Sequence, residues 1–247
     1  MNKISIVTVT FNCKSSILKT LNSIISQRYA NKEIIVIDGG STDGTLSILQ
    51  QFKSRLDILI SEKDNGIFDA MNKAIRCASG DWIIFINSGD YFIDNMVLCD
   101  FFDKKKYNDD IGVVYGDITT TNGVMKMMPF FKVNAKFKGM GISHQAIFTR
   151  LDLAKKFMFS PKFKVAADYN MMNSIYQLGY KFVYENRIIA FYADGGFSAI
   201  NLLERYKEIA IICKAQHSCK YLSLKYKIII KKILKKILNL FLALMNK

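Results

Sequence analysis

"WIIFINSGDY", residues 82–91, is an apolar run from Trp82 to Ile86 that breaks into Asn87, Ser88, Gly89 and Asp90. Such a run, closed by a polar turn, describes a strand buried on both faces, the kind found in parallel sheets covered by helices. Ligands in those folds sit outside the carboxyl ends of the strands, so chemistry is expected at 87–90. The turn carries a single acid, Asp90, where a metal-bound diphosphate would call for two.

Working outward, apolar runs alternate with segments of helical period up to about residue 118, the pattern of an α/β fold with a mostly parallel central sheet flanked by helices. Strands are expected near residues 4–10, 33–38, 57–61, 82–87 and 112–117. The first helix places Ile17, Leu18, Leu21, Ile24 and Ile25 on one face, and a second follows "GGSTDGT", where Ser41 or Thr42 would cap the first turn. A third covers Phe68 to Cys77. From Thr119 to about Lys164 the pattern is irregular, with "TTTNGV" as a hairpin turn and "KVNAKFKGMG" as a loop. Asp168 to Leu178 reads as a helix ended by Gly179, followed by strand-like "KFVYEN" and "IIAFYADGG". Residues 1–200 are read as one continuous domain and 201–247 as a helical tail.

The chain has 247 residues, half of them apolar, enough for one substantial core. Its five cysteines form no CxxC pair and have no histidine at metal-ligand spacing, which favours free thiols in a reducing cytoplasm over disulfides or zinc. Met1 runs almost directly into a strand, so no signal peptide is expected. Of the net charge of +14, +9 lies in 201–247. There "KYKIIIKKILKKILNLFLALMNK" sets Lys231, Lys232, Lys235 and Lys236 against Ile229, Ile230, Ile233, Leu234, Ile237 and Leu238, a basic amphipathic helix. Its apolar end, Leu240 to Met245, is far short of the roughly 20 residues that span a bilayer, so the tail is expected to lie on an anionic membrane surface. Packing on the domain or pairing in a homodimer is the alternative. Lysines mixed with aliphatic rather than stacking side chains argue against nucleic acid.

Polar groups cluster where four successive strands end: Thr10, Phe11 and Asn12; Asp38, Gly39 and Gly40; "EKDNG"; and "NSGD". Turn-making alone explains any one of them. In series they describe one crevice along the carboxyl edge of the sheet. No GxGxxG follows the first strand and no GxxxxGK[ST] occurs, so a diphosphate would need another device, for which a carboxylate-bound divalent cation would suffice.

Together "SIVTVTFNCKSSILKTLNSIISQ", "EIIVIDGGSTDGT", "SEKDNGIFDAMNKAI" and "GDWIIFINSGDYF" resemble the family 2 glycosyltransferases that build bacterial surface polysaccharide, over roughly residues 4–200. The resemblance implies a Rossmann-like GT-A fold and transfer of a sugar, with inversion, from a nucleotide diphosphate donor, most readily UDP-linked. The acceptor would be a lipid-linked or growing glycan at the inner face of a bacterial plasma membrane. It implies that Thr10, Phe11, Asn12 and Asp38 meet the base and that Asp64 and Gly66 close over the nucleoside. Asn72 would join the nucleotide contacts, whereas Lys73 would solvate its helix. The "NSGD" turn falls where the family has a D-x-D motif, with Asn87 and Gly89 in place of the acids. Asn87 and Ser88 would then serve the ribose and Asp90 alone the Mn²⁺ or Mg²⁺, which takes one or two carboxylates plus substrate phosphates.

The resemblance also assigns the general base, in "VAADYNMM", to Asp168, with Ala167 where an acid is usual. Asp168 serves equally as a helix N-cap. His144, in "GISHQAIF", would contact diphosphate or acceptor, and Asp117 would face a sugar, each with a structural role as the alternative. Asp194, Gly195, Gly196 and Ser198 resemble a late segment that closes over the site. The missing acids at 87, 89 and 167 leave open a catalytically weak nucleotide-sugar-binding subunit that recruits a partner enzyme. A nucleotidyltransferase would need an early basic glycine-rich loop, which "TVTFNCKSS" lacks.

Overall fold

The computed structural model describes residues 1–129, 141–193 and 201–215, with 218, 222–223, 225–228 and 230 of the tail. Asp194, Gly195, Gly196 and Ser198, the "KVNAKFKG" stretch and the lysine-rich residues 231–247 lie outside these.

Strand β1 (Ile4–Thr10) is buried along its whole length, as a strand covered on both faces must be. Parallel to it on one side lies β2 (Lys32–Asp38), flanked by β3 (Ile58–Ser61); on the other side lies β4 (Trp82–Phe85). These four are joined by α1 (Ile17–Ile25), α2 (Thr45–Gln51) and α3 (Ile67–Cys77). Past β5 (Tyr91–Phe92) and α4 (Val97–Phe102), β6 (Ile111–Thr120) turns back through a hairpin to β7 (Gly123–Met125), and the "TTTNGV" turn is as expected.

The region read as irregular holds two further elements, β8 (Ile147–Arg150) and α5 (Leu151–Phe157). β8 inserts antiparallel between β4 and β6, which keeps β6 pointing the same way as β4. After α6 (Ala167–Gln177), the two strand-like segments form one strand, β9 (Lys181–Phe191), parallel to β6 with register shifts near Tyr115 and Asp117. The sheet order is β3-β2-β1-β4-β8-β6-β9-β5, with β7 beside β6. Helix α7 (Leu202–Ile212) packs on α6 and buries Glu208, Ile209 and Ala210. Beyond it, the described residues 222–223, 225–228 and 230 are helical, residue 218 is not, and Ile228 is buried.

Two expected caps are absent. Helix α2 starts after Gly44, and Asp43 Oδ1, not Ser41 or Thr42, accepts from the Thr45 amide at 2.9 Å. Ala166, not Asp168, is the N-cap of α6; Asp168 is the second residue of the helix, and its Oδ1 accepts from the Tyr169 amide inside the first turn at 2.7 Å. Cys13, Cys77 and Cys99 are free thiols, and no described helix is long and apolar enough to cross a membrane.

Candidate functional site

The chain runs outward from β1 to β2 and β3, then returns to place β4 on the other side of β1. The carboxyl ends therefore diverge at the β1/β4 boundary, the switch point where open α/β sheets hold ligands. A cleft of about 730 Å³ opens there, lined by the ends of β1 (Thr10, Phe11) and β4 (Asn87, Ser88), by Gly39, and by Asp64 and Gly66 ahead of α3. Six of the residues expected at the nucleotide thus meet in one place.

Phe11 is 60 % exposed at this cleft, an aromatic face offered to solvent. Gly39 lies between it and Asp64: a Cβ there would sit 2.9 Å from Asp64 Oδ2 and 3.4 Å from the Phe11 ring. Asp64 is drawn in by Lys73, whose Nζ is 2.5 Å from Asp64 Oδ1 and 2.7 Å from Glu62 Oε1. Lys73 therefore does more than solvate its helix, because it fixes one wall of the cleft.

Three buried polar atoms at the cleft have no partner: Thr10 Oγ1, Asn87 Oδ1 and Ser88 Oγ. The other hydroxyls of β1 are satisfied, Ser5 by Glu33 and Thr8 by the Ile86 carbonyl. Leaving a buried polar group unpaired costs about 1–3 kcal/mol, so three around one cleft mark a place where a polar ligand would supply what the protein does not.

The "NSGD" turn is closed by the Asp90 amide donating to the Asn87 carbonyl at 2.9 Å, with Gly89 at φ +101°. That left-handed conformation disfavours an acid at the third position. Helix α1 holds the turn: Thr20 Oγ1 donates to the Asp90 carbonyl and accepts from the Gly89 amide, while Ser23 and Gln27 bind the Phe92 and Leu98 amides. Thr20 and Ser23 on α1 and Gln27 two residues past its end, spaced three and four apart, are the signal by which the sequence could have disclosed the support.

Asp90 is only 5 % exposed. Burial pushes its carboxyl above the usual carboxylate range, opposed by the Ala193 amide (3.0 Å), Gln145 Nε2 (2.8 Å) and the nearby His144. Gln145, buried and unremarked in the sequence beyond its place beside His144, thus ties "SHQ" to "NSGD". His144 completes a row across the site, with Nε2 3.2 Å from Asn87 Nδ2 and Nδ1 3.5 Å from Asp168 Oδ2. Because the Asn87 amide can only donate, it assigns the lone pair to Nε2 and the proton to Nδ1, facing Asp168.

Other expected site residues are turned into the framework. Asp38 is fully buried and accepts from the Ser41 amide and hydroxyl and from Ser61 Oγ. Asn12, at φ +50°, accepts from the Thr42 amide and so pins the turn after β2. Asn72 exchanges two 2.8 Å bonds with the Phe159 backbone, strapping α3 to the segment after α5. Asp117 is buried against Tyr184 Oη and the Met127 amide, at 2.9 and 2.8 Å, away from the residues that line the cleft.

Among the described residues no cluster of three or more His, Cys, Asp or Glu could hold a metal alone. The turn does offer oxygens only: the orphaned Asn87 Oδ1 and Ser88 Oγ, and the Asp90 carboxylate, whose two accepted bonds leave lone pairs free. That donor set suits a hard cation completed by phosphate oxygens and water, and not zinc.

A cleft at the switch point of this mixed sheet defines a Rossmann-like nucleotide-binding fold of the GT-A glycosyltransferase class. Solved structures agree on that fold. TarS of S. aureus in complex with UDP-GlcNAc superposes with a TM-score of 0.68, at 20 % identity over 85 % of this chain and 66 % of TarS. The mannosyltransferase PcManGT of Pyrobaculum calidifontis, in complex with GDP-Man and Mn²⁺, gives 0.66 at 20 % identity, over 85 % of this chain and 64 % of that one. The model of the family "Glycosyl transferase family 2" matches residues 5–157, and the chain belongs to that family.

Among its relatives, a PGL/p-HBAD biosynthesis glycosyltransferase of Mycobacterium bovis (strain BCG / Pasteur 1173P2) is 30 % identical over 172 residues, covering 67 % of this chain and 66 % of its own length. The chain thus spans slightly under two thirds of that relative. The UDP-Glc:alpha-D-GlcNAc-diphosphoundecaprenol beta-1,3-glucosyltransferase WfaP of Escherichia coli is 37 % identical over 98 residues, 39 % of each chain.

Proposed function

We propose that the chain transfers a sugar from a UDP-sugar to a lipid-linked or growing glycan, with inversion at the anomeric carbon. One observation carries the donor site: three unpartnered buried polar atoms around a cleft at the β1/β4 switch point, with the exposed ring of Phe11 at its rim. Phe11 stacks the base, Asp64 and Gly66 bound the nucleoside, and Thr10, Asn87 and Ser88 take the ribose and phosphate oxygens. Asp168 accepts the proton of the acceptor hydroxyl as that oxygen bonds to the anomeric carbon and the bond to the diphosphate breaks. His144, presenting Nδ1–H to Asp168, orients the carboxylate. Mn²⁺ or Mg²⁺, when bound by Asp90 with the Asn87 and Ser88 oxygens, would neutralise charge on the departing diphosphate.

A lipid-linked acceptor places the protein at the cytoplasmic face of a membrane, held by its basic tail; each lysine near an anionic surface is worth about 1 kcal/mol. UDP release from UDP-glucose, UDP-GlcNAc and other UDP-sugars, with and without Mn²⁺ and with acceptor lipid present, tests the reading. Metal-stimulated UDP release is expected. Its absence across all donors, with UDP still bound, would replace the enzyme by the nucleotide-sugar-binding subunit, which the single carboxylate of "NSGD" favours.

A further inference from the structure

Glu208 lies on α7, remote in sequence from every residue of the site, and is only 4 % exposed. No lysine or arginine neutralises it by an ion pair among the described residues. Instead it faces three consecutive backbone amides. Oε1 accepts from Lys164 at 2.7 Å, and Oε2 accepts from Val165 at 2.9 Å and Ala166 at 2.7 Å. Val165 and Ala166 are buried, so without Glu208 their amides would lack both protein and water. Ala166 is the N-cap of α6, and Asp168 stands two positions later, with Oδ2 3.5 Å from His144 Nδ1.

We propose that Glu208 is a positioning residue for the transfer reaction: its carboxylate clamps the 164–166 backbone and thereby fixes where α6 begins and where Asp168 presents its carboxylate. This rests on the reading of Asp168 as the base. Inside the first turn of α6 Asp168 Oδ1 accepts from the Tyr169 amide at 2.7 Å, while the three amides ahead of the helix are held from outside it by Glu208. An anion beside three amides at a helix start is also favoured by the helix dipole. A second contact ties the same two helices, Tyr169 Oη lying 3.1 Å from Cys213 Sγ. The base is thus held between His144 on one side and helix α7 on the other.

Glu208→Gln tests the clamp in the full-length chain. A glutamine offers one acceptor oxygen and turns an NH₂ toward at least one amide that needs an acceptor, without changing side-chain size. Three measurements are made on wild type, Glu208→Gln and Asp168→Asn: hydrogen exchange of the 164–166 amides, UDP affinity by calorimetry, and the rate of UDP release from UDP-glucose or UDP-GlcNAc, whichever is faster. For Glu208→Gln, faster exchange at 164–166, a UDP Kd within about twofold of wild type and a kcat lower by about 10- to 100-fold are expected, since a misplacement near 1 Å at the reacting centre costs on that order. Unchanged exchange, unchanged kcat despite lost protection, or UDP affinity falling in step with kcat would each overturn the proposal. Should Glu208→Gln not fold, Glu208→Asp, which keeps the charge and draws it back by one methylene, serves the same comparison. Asp168→Asn with wild-type kcat would refute the base assignment itself, and the exchange data would still report whether Glu208 holds the amides.

Discussion

His144 stands between Asn87 and Asp168, with Nε2 3.2 Å from the Asn87 amide nitrogen and Nδ1 3.5 Å from Asp168 Oδ2. The three residues come from the end of β4, the short helical turn before β8 and the start of α6, so only the folded sheet brings them together. A residue that accepts a proton is expected to lose more on substitution than the residue that orients it. Asp168→Asn should lower kcat by about 10²- to 10⁴-fold with UDP affinity intact. His144→Ala should lose less, and the double variant little more than Asp168→Asn alone, because the two act through one carboxylate. Steady-state UDP release from the four proteins checks this; additive losses would mean that His144 acts on the substrate directly.

The oxygens of the "NSGD" turn divide into a buried carboxylate and two neutral orphans, and the division predicts unequal losses. Asp90→Ala should abolish the gain in UDP affinity that Mn²⁺ gives, whereas Asn87→Ala should keep part of it. Asp90→Ala also strands the Gln145 side chain and the Ala193 amide, at a cost in stability of about 1–3 kcal/mol. Gln145→Ala breaks one of those bonds without removing the carboxylate, so it should lower the melting temperature and leave the metal effect in place. Calorimetric titration of UDP with and without Mn²⁺ separates the two, and equal losses from Asp90→Ala and Asn87→Ala would refute the division.

The parallel half of the fold was legible because β1, β2 and β4 are buried along nearly their whole length and read as apolar runs, and edge strand β3, only half-buried, still carries the run Ile58–Ile60; all four fall where those runs predict them. β8 was not, since four residues gain strand character only by inserting between β4 and β6, partners distant in sequence. β9 reads as two segments because its pairing with β6 shifts register around Asp117, and polar Glu185, Asn186 and Arg187 interrupt the apolar pattern there. In the site, strand-end position located the cleft but did not say which way each side chain turns. Asp38, Asn72 and Asp117 have the right chemistry and spend it on Ser41, Phe159 and Tyr184, contacts that span up to 87 residues. Glu208 was invisible for the same reason, lying in a segment read as tail.

Phe11 offers the cleanest separation of binding from stability. It is 60 % exposed and absent from the buried core, so Phe11→Ala should leave the melting temperature unchanged. Stacking of a base on an aromatic ring is worth about 1–3 kcal/mol, so UDP affinity should fall by roughly 5- to 150-fold, while Phe11→Tyr keeps most of it. Calorimetry with UDP checks both, and an unchanged Kd in Phe11→Ala would put the base elsewhere in the cleft.

Glu33 sets the response of the fold to acid. Burial alone would raise its carboxyl, but Lys3, the Ser5 and Ser79 hydroxyls and the Ser79 amide together hold it down to about 2. The Lys3 ammonium is 2.7 Å from Oε2 and Ser5 Oγ 2.5 Å from Oε1. A carboxyl depressed in the folded state binds its proton more readily when unfolded, so its stabilisation is fully present above the unfolded value near 4.3 and is lost as pH falls through the folded value near 2. With solvent screening at Lys3 allowed for, that contribution is about 2 kcal/mol. Glu33→Gln should therefore destabilise the protein by about that much at pH 7 and flatten the acid limb of its stability curve between about pH 5 and pH 2. Urea unfolding of both proteins across that range measures the difference. It should shrink as pH falls, whereas a gap independent of pH would assign the loss to packing and not to the charge.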